Sequence, residues 1–250
     1  MSGLREALGF LTRIPVSAEG PPGRAAVPWF PVVGAAVGAF VGGVYAAAYQ
    51  IMPSPLAALA AVVSGVLVTG AFHEDGFADT ADALGSRRTG ESGIEVMRDS
   101  RLGTYGSIAI VVSILWRVLA IGAMDPTAAL VGLVMAHTLG RATSVALMAT
   151  TTAAREEGLG RVGVLGVTGP GAAIGITTGL FVSGLVGGWW LGPAVVVASV
   201  CLLWLRGITI SRFSGITGDV LGAGEQLSEL AVLTVVAVVT WGGYDVWWVS

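Results

Sequence analysis

Seven apolar runs divide this chain, each close to the ~20 residues that cross a bilayer as a helix. They cover about Pro31–Met52, Leu56–Phe72, Ser107–Met124, Thr127–Thr150, Gly171–Trp190, Pro193–Ile210 and Leu227–Val249. Runs of that number and length leave little choice of architecture. The chain is 54% hydrophobic and only 12% charged, against roughly 25% charged residues in soluble proteins. An ordinary soluble globule is therefore excluded. The 38 glycines follow no three-residue period and fall inside the apolar runs, where small residues let membrane helices approach closely. Trp189, Trp190, Trp241, Trp247 and Trp248 fall near run ends, as aromatic belts do.

The arginines orient these runs. Every basic residue is Arg. With the N-terminus inside, the cytoplasmic segments are 1–30, 73–106, 151–170 and 211–226. They hold Arg5, Arg13, Arg24, Arg87, Arg88, Arg98, Arg101, Arg155, Arg161 and Arg212, with Arg206 near an inner end. The outer connections near Pro53, Asp125 and Gly192 hold none, so the positive-inside rule puts the N-terminus in the cytoplasm. Arg117 and Arg141 remain within apolar runs, where a buried guanidinium needs a partner or a polar cavity. Leu4, Leu8, Phe10 and Leu11 have helical spacing and predict a short amphipathic helix at the membrane surface. No cleavable signal peptide is evident. The expectation is an all-α integral membrane protein of about seven transmembrane helices. It forms one polytopic catalytic domain over residues 1–250, in the inner (cytoplasmic) membrane, with its active site facing the cytoplasm.

Between the second and third runs lies a dense block of charge, His73–Gly106. If His73–Leu84 is helical, Asp75, Asp79 and Asp82 are separated by about 400° and 300° and share one stripe. Carboxylates so placed repel one another unless a cation offsets them. All-oxygen donors at this density suit Mg²⁺ or Mn²⁺. Glu95 and Asp99, with i, i+4 spacing, predict a second acidic face. The two helices together predict an acidic hairpin at the cytoplasmic face, able to hold metal and a pyrophosphate. A solvated loop whose acids pair with Arg87, Arg88, Arg98 and Arg101 is the plainer alternative. Arg98 and Arg101 offer guanidinium forks suited to phosphate. Ser100, Thr104 and the amides near Gly103 and Gly106 form a candidate anion cradle at the start of the third run.

His73 is a candidate base. His137 reads as structural, although Arg141 lies one turn away on the same face. Asp219 sits among glycines in a polar stretch, Ser211–Gln226, and either completes the site from a distant loop or caps a turn. Glu225 and Glu229 read as a helix-start pattern. The net charge of −3 gives no argument for nucleic acid. A homo-oligomer is compatible with the sequence.

Taken together, the motifs resemble the cobalamin synthase family, whose activity is adenosylcobinamide-GDP ribazoletransferase. The resemblance rests on His-x-Asp-Gly-x-Ala-Asp-x-x-Asp at 73–82 and Asp-Ser-Arg-x-Gly-Thr at 99–104. Phe10–Val16, Arg155–Gly160 and Thr217–Ala223 extend it over essentially the whole chain. Glu74 and Phe77 stand where members commonly carry Leu, and Gln226 stands where a Glu is expected. The resemblance implies a Mg²⁺-dependent membrane enzyme. It joins adenosylcobinamide-GDP to α-ribazole or its 5′-phosphate and releases GMP. On this reading the expected metal ligands are Asp75, Asp79, Asp82 and Asp99, with Glu95 as a further candidate.

Two other classes fit parts of the pattern. A CDP-alcohol phosphotransferase, or less closely an intramembrane prenyltransferase, also sets aspartates against a pyrophosphate at a membrane face. A transporter would use Arg117, His137 and Arg141 to line a polar path, but the acids cluster at one face rather than at mid-membrane.

Overall fold

The computed structural model describes residues 2–16, 22–154, 167 and 169–245. Among these residues the chain is helical, with a single bridge where Ala153 runs beside Ile216. In the order of the chain the helices are α1 (Ser2–Leu11), α2 (Phe30–Ala48), α3 (Ser54–Thr69), α4 (Phe72–Gly85) and α5 (Gly90–Arg98). They continue with α6 (Thr104–Gly122), α7 (Pro126–Thr150), α8 (Gly169–Gly187), α9 (Leu191–Phe213) and α10 (Gly218–Trp241). Five helical stretches are long and apolar enough to cross a membrane, or six if the bent pair α3–α4 counts as one. Helices suit that role because each satisfies its backbone polar groups internally.

One of those stretches, Gly169–Phe213, has 45 residues, about twice the length of a single crossing. It doubles back. Gly187 lies against Met135, Gly179 against Ala142 and Gly175 against Val145, so α8 runs antiparallel to α7. Arg206 of α9 then donates from Nη2 to the Thr150 carbonyl at 2.9 Å, at the far end of α7. Gly188, with φ +55°, sits in the single 3₁₀ turn between the two arms.

Helix α7 is the central post. Nearly all of it is buried, and Asp125 caps its start by accepting from the Thr127 and Ala128 amides. Helix α2 lies close against it through a stripe of glycines four residues apart. A Cβ at Gly38 would come 2.7 Å from the Val134 Cα, and one at Gly34 would come 2.8 Å from the Arg141 Cδ. The stripe lets two helices approach backbone to backbone, as small residues do in membranes.

Several sequence expectations shift. The last arm starts at Gly218, not near Leu227, so the polar stretch Ser211–Gln226 is mostly helix. Glu225 within it and Glu229 just beyond are neutralised by partners on other helices, which window hydropathy cannot register. Asp219 accordingly lies in the first turn of α10 rather than in a loop. Trp190 is fully buried, unlike Trp189 and Trp241, so it belongs to the core and not to an aromatic belt. Helix α1 packs Ala7 and Leu11 into the core, with Leu4, Leu8 and Phe10 against it. The loop Arg155–Gly160, Arg161, Trp247 and Trp248 lie outside the described residues.

Candidate active site

Helix α4 leaves α3 at 91° because the chain passes through two left-handed residues, Gly70 and Ala71. That bend turns a helix too charged to span anything across the bundle's end. It packs against α10 at Gly76, where a Cβ would sit 2.8 Å from the Asp219 carbonyl oxygen and 2.9 Å from its Cα. This contact joins Asp219 to the aspartate stripe. Asp79 is half-buried and its carboxyl is pushed up to about 7, first by burial, then by the charges of Asp75, Asp219 and Asp82. Four aspartates from two distant segments therefore share one field.

Gly76→Ala is predicted to push α4 away from α10 and to separate Asp219 from Asp79. The expected result is an inserted, folded protein with sharply reduced turnover. Full activity in Gly76→Ala would show that the close approach is dispensable.

The Asp79 shift carries a sign. The folded state holds a proton between about 4 and 7 that the unfolded chain releases, so this group lowers stability as pH rises through that window. Without divalent cation, the midpoint of thermal unfolding is predicted to fall from pH 5 to pH 7.5, and less so in Asp79→Asn. Equal slopes for the two proteins would contradict the assignment.

Asp82 accepts from the Gly103 amide at 2.7 Å and from the Gly106 amide at 2.8 Å. The amides read as an anion cradle thus already hold a carboxylate of this chain, which caps α6. Tyr105 covers Gly85 alongside. Asp99 is held by Arg101, Nη2 to Oδ2 at 2.6 Å, and those hydrogen bonds bring its carboxyl down to about 2. Arg98 is exposed and lies 3.7 Å from Glu91. Glu95, Ser100 and Thr104 are exposed. Helices α4 and α5 do form a hairpin, held to α9 by Arg212, which donates to the Leu84 and Arg88 carbonyls.

His73 faces the opposite way, into the bundle, where it pairs with Glu225. Around it lies a buried ionic network that sequence reasoning largely missed. Arg141 pairs with both Glu225 and Glu229. His137 Nδ1 lies 2.6 Å from Glu229. Arg117 Nη1 meets Glu74 Oε1 at 2.9 Å, and Gln226 Nε2 reaches the same oxygen at 3.4 Å. Arg117 and Arg141 thus have the partners a guanidinium inside an apolar run requires. The available signal was two i, i+4 pairs on polar faces, His137/Arg141 and Glu225/Glu229. Glu225 and Glu229 are ion-pair partners, not a helix-start pattern.

Among the described residues, His137, Glu225 and Glu229 form the one set of three side chains with ligand atoms within 4.8 Å of one another. The Arg141 guanidinium sits against both glutamates, so a cation already occupies that charge environment. The set is read as a salt-bridge network.

The model of the family described as cobalamin-5-phosphate synthase matches residues 3–237. This chain belongs to that family. Curated relatives agree along nearly their full lengths. The chain is 38% identical over 253 residues to the adenosylcobinamide-GDP ribazoletransferase of Bradyrhizobium diazoefficiens, covering 97% of this chain and 95% of the relative. It is 37% identical to the enzyme of that name from Citrobacter koseri, covering 90% and 95%. With the one from Ralstonia pickettii it shares 36%, covering 93% and 96%. No solved structure matches. Within this cobalamin-5-phosphate synthase fold, Gln226, a departure noted from the motif, bridges the Glu74–Arg117 pair toward Ser113. Glu74, another departure, supplies the partner of Arg117.

Proposed function

We propose that this chain transfers the adenosylcobinamide phosphate group from adenosylcobinamide-GDP to α-ribazole or its 5′-phosphate, releasing GMP. The observation that carries the reading is the family match across residues 3–237, joined by relatives bearing that activity's name over nine-tenths of the chain. In the full reading, residues 1–250 form one catalytic domain in the cytoplasmic membrane. Its seven arms are α2, α3 and α6–α10, with the N-terminus and the α4–α5 hairpin on the cytoplasmic side. The arginine distribution supports that orientation.

The acidic cluster fits a divalent cation. Its donors are all carboxylate oxygens, which suit Mg²⁺. The upward push on Asp79 comes first from burial and then from the charges of Asp75, Asp219 and Asp82, and a cation would relieve the second part. The oxygens of Asp75, Asp79 and Asp219 do not converge to within 4.8 Å of one another as they stand, so these three would hold the ion after side-chain rotation, with Asp82 behind them at the start of α6. Mg²⁺ would supply charge to offset the negative charge that builds on phosphoryl oxygens during transfer.

In the reaction, a ribazole hydroxyl oxygen attacks the cobinamide-linked phosphorus. One P–O bond forms as the anhydride P–O bond breaks, and GMP leaves with the bridging oxygen. The hydroxyl proton passes to a carboxylate of the cluster. A carboxylate not engaged by the ion suits that task. His73, engaged with Glu225 inside the bundle, stands on the other face of α4. Arg98 and Arg101 are exposed at the same end and would meet the diphosphate; for Arg101 this means exchanging Asp99 for phosphate.

The deciding experiment incubates purified full-length protein with adenosylcobinamide-GDP, α-ribazole and Mg²⁺, and follows GMP. Release that depends on α-ribazole is expected. Folded protein that releases none, but cleaves a CDP-alcohol, would move the assignment to the lipid phosphotransferases.

A further inference from the structure

A second feature lies on the inner side of α4. A cavity opens between α1, the starts of α2 and α4, the C-terminal half of α7 and the first two turns of α10. Three phenylalanines from three separate segments converge on it. Phe10 stacks on Phe30 with ring centroids 5.8 Å apart and meets Phe72 edge-on at 5.2 Å. Phe72 in turn meets the His73 ring edge-on at 5.1 Å. Met148 and Leu221 extend the apolar part of the wall. Such a wall suits a flat, weakly polar ring system.

The polar groups in the cavity wall narrow the class further. Glu225 is engaged by His73 and Arg141, and Ser144 Oγ donates to the Leu221 carbonyl. Arg141, 1% exposed, keeps its Nε–H without a hydrogen-bond partner. A buried donor left unsatisfied is costly. Arg141 also borders the polar pocket behind it; on the cavity side, the group its Nε–H lacks is an acceptor, such as a ring nitrogen.

Position supplies the last constraint. Gly218, Leu221 and Gly222 line the cavity, while Asp219, in the same turn of α10, belongs to the acidic cluster. Gly218 and Asp219 are neighbours in the chain, so the cavity and the carboxylates border the same turn of α10.

We propose that this cavity seats the benzimidazole base of the ribazole acceptor, with its ring nitrogen accepting from Arg141 and its ribose directed toward Asp219. The inference rests on the transfer reaction proposed above. It assigns the acceptor base to Phe10, Phe30 and Phe72 and leaves the guanine of the donor elsewhere.

The test is equilibrium dialysis of α-ribazole and, separately, of GDP against full-length protein in detergent with Mg²⁺ present. It compares wild type with Phe10→Ala, Phe10→Leu and the cavity-filling Leu221→Trp. Phe10→Ala and Leu221→Trp are expected to weaken α-ribazole binding at least about tenfold and to leave GDP binding unchanged. Phe10→Leu, which keeps apolar volume but removes the ring, should fall between, and it decides the matter if Phe10→Ala is not monodisperse. In turnover, KM for α-ribazole should rise while KM for the donor stays. Unchanged α-ribazole affinity in folded variants, or a loss of GDP affinity instead, overturns the proposal. Dialysis needs no catalysis, so the two ideas fail separately. Wild type that binds α-ribazole yet releases no GMP sinks the reaction and keeps the site. Wild type that turns over while the variants behave identically sinks the site alone.

Discussion

Asp79→Asn is expected to abolish GMP release, by at least about a thousandfold, the scale on which a preorganised charge-stabilising group acts. Asp79 is the member of the acidic cluster with the most to lose. It is half-buried, and the charges of Asp75, Asp219 and Asp82 all bear on it. The amide preserves shape and removes one negative charge, so cation binding weakens while the repulsion within the cluster falls. The variant should therefore fold, remain in the membrane fraction and, without metal, unfold no earlier than wild type at pH 8. Addition of Mg²⁺ should raise the unfolding midpoint of wild type and do so much less in the variant. The measurement is GMP release across a Mg²⁺ titration, read beside the unfolding midpoint. Near-normal turnover at saturating Mg²⁺ would remove Asp79 as an essential ligand.

Arg141→Met should damage the bundle rather than the chemistry first. Arg141 is the hub of the buried network, against Glu225 and Glu229 together. Removing it strands two carboxylates in the interior with only His73 and His137 beside them. Breaking a buried pair in this way costs roughly 3–5 kcal/mol. Removing charge from both sides costs less, because no unpaired ion remains. Arg141→Met/Glu225→Gln should therefore recover part of the loss. Thermal unfolding of the single and double variants in detergent checks both statements. A single variant as stable as wild type would mean that the network contributes nothing net.

The contrast between these two residues shows what could be read from the chain. The aspartate stripe was legible because one helix carries it, so residue spacing alone fixes the shared face. Asp219 was not assignable in the same way. Its place beside Asp79 depends on α4 turning through 91° after Gly70 and Ala71 and on Gly76 admitting the α10 backbone. Asp82 shows the opposite outcome. Spacing groups it with the stripe, yet the start of α6 folds onto its oxygens.

The apolar helices were legible to within a few residues at most ends, since apolar length is a property of the sequence itself, although five or six stretches rather than seven meet the length and hydropathy of a crossing. The last arm was the exception. Glu225, Gln226 and Glu229 look polar as sequence, but each is at most 2% exposed in the bundle. Their cost as buried groups disappears only when Arg141, His73, His137 and Glu74 come in from other helices.

Linear pattern is enough to show that this chain is helical and membrane-bound, that Asp75, Asp79 and Asp82 share a helix face, and to which family it is similar. Local period, apolar length and motif order carry that information, and none requires knowing which helices touch. Tertiary structure alone decided that Asp219 joins the stripe, that His73 turns inward to Glu225, and that three distant phenylalanines wall one cavity. Those facts depend on contacts between segments as far apart as Phe10 and Leu221, and a linear pattern contains no distance between them.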